Sequence, residues 1–183
     1  MSFFKDLAGP LYYQFKGEIL IEEWVVVDEF PNYIVSTHGR VVNESTKRFI
    51  EPSHTTQGAL KVTLIKSGQK HTRSLKVLVA SAFVHGESET FDTPIQLDGN
   101  QDNVRADNLM WRPRWFAWKY TRQFTDCDKY RDDNLYLHLR SGVLYKSIYE
   151  VGVTYGVLFK DVQRHIWYNV PLFPDWEEFI LAR

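Results

Sequence analysis

A single cysteine, Cys127, in 183 residues leaves no partner for an internal disulfide and no set of thiolates for a zinc site. That economy fits a reducing compartment. No apolar run approaches the roughly 18–20 residues that a membrane span needs, and the opening Met1-Ser2-Phe3-Phe4-Lys5-Asp6 has no basic stretch followed by an apolar one. The expectation is a soluble intracellular chain, cytoplasmic, with no membrane partner. An excess of positive charge is missing too: 22 Lys and Arg against 23 Asp and Glu give a net charge of −1. Taken alone, that balance argues against a polyanionic partner, because affinity for nucleic acid rests on Lys and Arg neutralising phosphates.

What is present is hydrophobic and aromatic. With 44% hydrophobic residues and 12 Phe, 10 Tyr and 6 Trp, the composition excludes an intrinsically disordered chain. The near-zero charge also conceals segregation. Met1 to Ser36 carries −4, Thr37 to His85 carries +6, Gly86 to Trp111 carries −5, Arg112 to Arg131 carries +4 and the remainder carries −2. Two basic blocks flank an acidic one, which leaves room for a locally positive face.

The segment Trp24 to Val35 is β-branched and aromatic with turn residues at Asp28 and at Pro31-Asn32, the pattern of two short strands. His38-Gly39-Arg40 turns into a further strand at Val41-Val42. Leu60 to Leu64 alternates apolar and polar, Ser67-Gly68 is a tight turn, and His71 to Leu75 returns, which predicts a basic hairpin. Leu75, Leu78, Val79 and Ala82 sit at helical spacing within Leu75 to Phe83. Pro94 to Leu97 reads as a strand, Asp98-Gly99-Asn100 as a turn, and Asn108 to Trp111 as a second strand. Pro113 then opens a helix in which Trp111, Trp115, Trp118 and Arg122 recur at helical intervals, a stripe that reads as core rather than as a base-stacking platform. Ser147-Ile148-Tyr149-Glu150 has the form of a capping box and Gly156 that of a helix stop. A second short helix, Lys160 to Trp167, would present Gln163, Arg164 and His165, and the pair would make a helix-turn-helix.

Several of these residues carry a resemblance. Glu23-Trp24, Phe30 to Ser36 and Gly39-Arg40-Val41 resemble the module that precedes the nuclease domain in many phage HNH homing endonucleases. Leu78 to Phe83, Leu97 to Asn103 and Asp107 to Trp111 resemble their HNH (His-Me finger) core. The resemblance spans Glu23 to about Thr125, and the segment Gly142 to Ile166 is similar to the helix-turn-helix modules that end such proteins. It implies an α+β chain in four parts: an apolar arm (1–22), a small β-rich module (23–76), a ββα core (77–125) and a helical C-terminal lobe (126–183).

The resemblance also implies a chemistry that this sequence lacks the groups for. In the family an aspartate and an asparagine hold a divalent ion while a histidine takes a proton from water. Here Ile95, Gln96 and Ala117 occupy those positions. Isoleucine and alanine offer no oxygen to a hard cation, and a glutamine amide is no useful base. The Val-His-Arg-Leu-Val-Ala run usual before the core is Leu75-Lys76-Val77-Leu78-Val79-Ala80. Asp98 and Asn108 remain as turn and loop-tying scaffold. His38, His54, His71, His85, His138 and His165 show no metal-ligand spacing, Asp98, Asp102 and Asp107 read as turn and loop caps, and Cys127 has no evident partner base.

Three functions follow. The first is a catalytically inactive DNA-binding protein of phage or mobile-element type, without metal or other cofactor. Its contacts to duplex phosphates would come from Lys61, Lys66, Lys70, Arg73 and Lys76 on the hairpin and from Arg112, Arg114, Lys119 and Arg122 at the basic helix. The second is a repurposed phage protein that binds a host or virion protein through its apolar arm or the aromatic end around Trp167, Tyr168, Phe173, Trp176 and Phe179. The third is an active nuclease that uses Mg²⁺ held by displaced residues.

Overall fold

The computed structural model describes residues 12–15, 18–174 and 177–182. The chain divides into two compact units, Met1–His85 with Gln101–Leu109, and Gly86–Asn100 with Met110–Arg183. Most of the expected apolar arm, and Trp176, lie outside the described residues. Of the arm, β1 (Tyr12–Phe15) and β2 (Glu18–Ile21) pair antiparallel.

In the first unit β3 (Trp24–Val27), β4 (Phe30–Ser36), β5 (Val41–Asn43) and β6 (Arg48–Phe49) form an antiparallel sheet in that order. The turn between β3 and β4 is Asp28-Glu29. Pro31-Asn32, expected to break the strand, instead lies inside β4, where the register against β3 shifts between Val26 and Val27. A proline there forfeits no ladder bond. A second sheet holds β7 (Ser53–His54), β8 (Leu60–Lys66) and β9 (Gln69–Ser74), with the hairpin turning at Ser67-Gly68 as expected. The Tyr33 hydroxyl accepts from the Ile65 amide at 3.0 Å and so joins the two sheets. Helix α1 (Leu75–Phe83) buries Leu75, Leu78, Val79 and Ala80 against β3, β4, β8 and β9. Ala82 is half-buried. Gly39 has φ +81°, and a Cβ there would collide with the Val104 side chain. Only glycine permits the turn and the close approach together.

One ion pair anchors this unit. The Glu22 carboxylate, 2% exposed, accepts from Arg40 Nε at 2.9 Å and from Arg40 Nη2, with His38 Nδ1 3.6 Å away. Burial pushes the Glu22 carboxyl up, but hydrogen bonds from Arg40 and Ser36 outweigh it and hold the group below the ordinary carboxylate range. Burial likewise holds the His38 imidazole below the usual histidine range, with Arg105 and Arg40 adding to the shift.

In the second unit β10 (Thr93–Gln96) pairs with β11 (Leu109–Arg112), and α2 (Arg114–Gln123) packs on β10. Pro113 is the residue just before α2 rather than its first. The C-terminal part is more than helical. β12 (Leu135–His138), β13 (Leu144–Tyr145) and β14 (Phe179–Ala182) form an antiparallel sheet in the order β13-β12-β14, beside α3 (Ile148–Tyr155) and α4 (Phe159–Tyr168). The strands were hidden because Tyr136, His138 and Phe179, which face the core, are too few to set up a readable alternation. Ser147 Oγ accepts from the Glu150 amide at 3.1 Å, while Glu150 Oε2 accepts from Lys146 rather than from Ser147. Gly156 ends α3 in the left-handed region at φ +59°. Gly152 lies against Phe159, and a Cβ there would overlap the Phe159 ring.

Two outcomes are expected. Arg40→Ala should lower stability by about 3 kcal/mol at pH 7, the low end for breaking a buried pair because Arg40 keeps some solvent. In the unaltered chain both folded-state values lie below the unfolded ones. The contributions of His38 and Glu22 are therefore complete above pH 6.5 and 4.5 respectively, and each is lost as pH falls through the range below. Urea titrations between pH 7 and 4 should show a steady decline, and a flat profile would contradict the assignment. Gly152→Ala should cost about 1–2 kcal/mol in thermal unfolding. Overlap with a rigid buried ring costs about 1–3 kcal/mol, which exceeds the helix-propensity gain of about 1 kcal/mol.

Candidate functional site

The unit from β10 to α2 carries the positions at which the sequence resemblance located metal and base. Ile95 is 1% exposed and forms one apolar cluster with Phe116, Ala117 and Tyr120, which Leu97, Met110, Phe124 and Leu158 surround. Gln96 is buried on the same strand. Two of the three positions are thus hydrocarbon packed against hydrocarbon, a donor set that does not fit a hard divalent cation. The Tyr120 hydroxyl donates to the Leu97 carbonyl at 2.9 Å and reaches the Gly152 carbonyl at 3.3 Å. Burial holds that phenol well above the ordinary tyrosine range, so it stays a donor.

The retained motif residues shape turns. Asp98 Oδ1 accepts from the Asn100 amide at 2.9 Å, and Gly99, at φ +74°, lies directly against the Phe124 ring. In the first unit Asn108 Nδ2 donates to the Asn103 carbonyl at 2.9 Å, and the Ala106 amide donates to Thr37 at 2.8 Å. Asp107 pairs with Arg105, and Asp102 lies 2.8 Å from His54 Nε2 in an exposed pair. Among the described residues no group of three or more His, Cys, Asp or Glu side chains is placed to hold a metal ion.

Of the other histidines, His71, His138 and His165 serve packing and hydrogen bonding. His71 lies 5.6 Å from the Phe30 ring, and His85 is exposed. His138 is buried, with Nε2 2.7 Å from Glu177 and Nδ1 2.7 Å from Ser141 and 2.9 Å from the Tyr155 hydroxyl. His165, expected to be presented by its helix beside Gln163 and Arg164, is instead buried. Its Nδ1 donates to the Val170 carbonyl at 2.9 Å and its Nε2 accepts from the Phe179 amide at 3.2 Å.

The basic residues named from the sequence fall into three groups. On the hairpin, Lys66 and Lys70 are exposed and Lys61 is half-buried. Arg73 is held by a bidentate pair with Glu29, and Lys76 is sunk far enough that burial pushes its ammonium below the ordinary lysine range. In the second unit Arg112 departs from the phosphate contact expected of it. It is buried, and its guanidinium donates to the carbonyls of Gly156 at 3.1 Å, Tyr155 at 2.7 Å and Trp111 at 3.1 Å. A cation set against the last carbonyls of α3 satisfies acceptors that the helix leaves unpaired. Arg114, Lys119 and Arg122 are exposed on α2.

The tryptophan stripe is the larger correction. Trp115 and Trp118 are 53% and 61% exposed, and the face of α2 that enters the core is Phe116, Ala117 and Tyr120. Both sets have helical spacing, so periodicity alone could not choose between them. The discriminating signal is the company they keep. Trp115 is followed four residues later by Lys119, and Trp118 by Arg122, so each indole of the stripe has a cation one turn on. Lys119 Nζ lies 5.0 Å from the Trp115 ring centre and Arg122 Cζ 4.3 Å from that of Trp118.

No family model matches the chain. Over 96 residues, 52% of this chain, it is 30% identical to a protein of Acanthamoeba polyphaga mimivirus named an uncharacterized HNH endonuclease, and it spans 24% of that relative's length. Among solved structures, one titled for DNA binding and cleavage by the HNH homing endonuclease I-HmuI matches with a TM-score of 0.51 at 20% identity. The match covers 87% of this chain and 98% of that one. Strands, turn and helix thus follow the arrangement that the motif residues implied: the chain is similar in fold to an HNH homing endonuclease.

Proposed function

We propose that this chain is a DNA-binding protein of viral or other mobile-element type that uses an HNH-type scaffold without hydrolysing its substrate, acting in the cytoplasm of its host. The observation that carries the reading is the apolar cluster of Ile95, Phe116, Ala117 and Tyr120. Hydrolysis on this scaffold calls for oxygen ligands and a base at positions that here have become core. Binding needs less: exposed cations whose neutralisation of phosphates releases counterions. Lys66 and Lys70 on the hairpin, and Arg114, Lys119 and Arg122 on α2, are such groups.

Titration of a labelled duplex should give affinity that falls steeply as salt rises from low to physiological concentration, and that falls further in Lys66→Glu with Lys70→Glu. Affinity absent at low salt, or indifferent to salt, would overturn the reading. Supercoiled plasmid incubated with Mg²⁺ or Mn²⁺ should stay intact. The triple variant Ile95→Asp, Gln96→His, Ala117→Asn, checked for folding by circular dichroism, should acquire nicking that a chelator abolishes. Chelator-sensitive nicking by the unaltered chain would sink the claim that hydrolysis has been lost.

A further inference from the structure

We infer that the outward face of α2 and the cavity beside it receive a DNA strand with unstacked bases, a phosphate entering the cavity and bases lying on Trp115 and Trp118. The inference rests on the DNA-binding reading above and narrows it to one form of the substrate.

The indoles supply the first argument. One exposed tryptophan is unremarkable, but two that are one turn apart, on a helix whose opposite face is fully buried, form a ready aromatic surface. Trp115 is braced by Phe116 and Phe173, with ring centres 5.7 and 5.3 Å away, so it is held rather than loose. Charge then selects the kind of partner. Every basic residue of α2 lies on this face, and among the described residues the acid paired to it is Asp92, 3.6 Å from Arg114. An apolar protein groove would leave those cations unmatched, whereas a polyanion with aromatic faces matches cations and indoles together.

The cavity supplies the second argument. It measures about 260 Å³ and is lined by Lys119, Arg122, Gln123, Asp126, Lys129 and Lys160, among others. Asp126 is taken up by Lys129, which leaves three cations without an acid in the lining. Gln123 adds a donor. Its Oε1 accepts from the Phe159 amide, the first of α4, at 2.8 Å, which fixes the orientation of the carboxamide, since the reverse would oppose two donors. Its Nε2 is therefore left as a buried donor without a partner, a group that calls for an acceptor and that a phosphate meets only by displacing the side chains covering it. The same cavity wall includes Leu158 and Lys160 at the start of α4, the end of a helix that favours an anion.

Lys119 and Arg122 belong to both features, each touching an indole and lining the cavity. A strand laid along them would place phosphate and base where donors and rings already are. In a paired duplex each base face is covered by its neighbours, so only an unpaired or flipped base offers a ring to stack.

The test compares a labelled oligothymidine with a duplex of equal length at matched salt, using the full chain. Trp115→Ala with Trp118→Ala should lower oligothymidine affinity roughly ten-fold or more and change duplex affinity less than about three-fold. Gln123→Glu keeps the acceptor for Phe159 but removes the free donor and adds a negative charge, and it should weaken oligothymidine binding in the same selective way. Binding of oligothymidine should also quench indole fluorescence in the unaltered chain and not in the double variant. Unchanged oligothymidine affinity in both variants, or equal losses on the two substrates, would overturn the inference while leaving duplex binding in place. Oligothymidine bound in a tryptophan-dependent way with no duplex bound would uphold it and remove the duplex reading instead. Failure to bind either would remove both.

Discussion

The packing of Phe116, Ala117 and Tyr120 onto Ile95 decides which way α2 faces, and much of the second unit follows from that choice. Burying these side chains is worth roughly 1.5–3 kcal/mol for each large apolar group, which outweighs any preference of the tryptophans for the interior. Once that face is committed to the core, helical geometry puts Trp115, Trp118, Lys119 and Arg122 outside. The same packing fills with hydrocarbon the positions at which the sequence resemblance located metal ligands. That apolar filling and the outward aromatic surface are two consequences of one hydrophobic contact.

Several polar groups that look functional in the sequence act instead as ties. Arg112 closes the C-terminal end of α3, His165 joins α4 to β14, and His138 gathers Glu177, Ser141 and Tyr155. Each sits where backbone or side-chain polar groups would otherwise be buried without partners, a situation that costs about 1–3 kcal/mol per group. The exposed arginines and lysines differ from Arg112 in this respect alone. Charge type does not separate the two roles; burial does.

Strands β3, β4 and β5, the hairpin of β8 and β9, and α1 were legible because alternation, turn residues and helical spacing agree there, whereas β1, β2, β6 and β7, of four residues or fewer, were not. Asp98-Gly99-Asn100 was equally clear, since the left-handed φ of Gly99 and its contact with Phe124 leave no other residue type. Trp111, on β11, is core as expected, but α2 was turned the wrong way, because Trp115-Trp118 and Phe116-Tyr120 with Ala117 offer two competing stripes and only tertiary packing ranks them. The small sheet of β12, β13 and β14 was missed for a related reason: β14 lies some forty residues beyond its partner β12, and all three strands run to four residues or fewer. Gln123, Lys129 and Lys160 were not singled out because the cavity that unites them forms only when α2 and α4 are brought together.

The hydrogen bond from the Phe159 amide to Gln123 has a consequence for how the second unit moves. Leu158 provides no side-chain cap for α4, so the last residue of one helix does that work for the first residue of another. Fraying of the α2 terminus therefore strips an amide from α4, and loosening of α4 frees the carboxamide at the end of α2. The two ends are thereby tied together, and with the Tyr120 hydroxyl reaching the Gly152 carbonyl and Phe124 lying against Phe159, the tryptophan-bearing helix is joined to the C-terminal helix pair at several points.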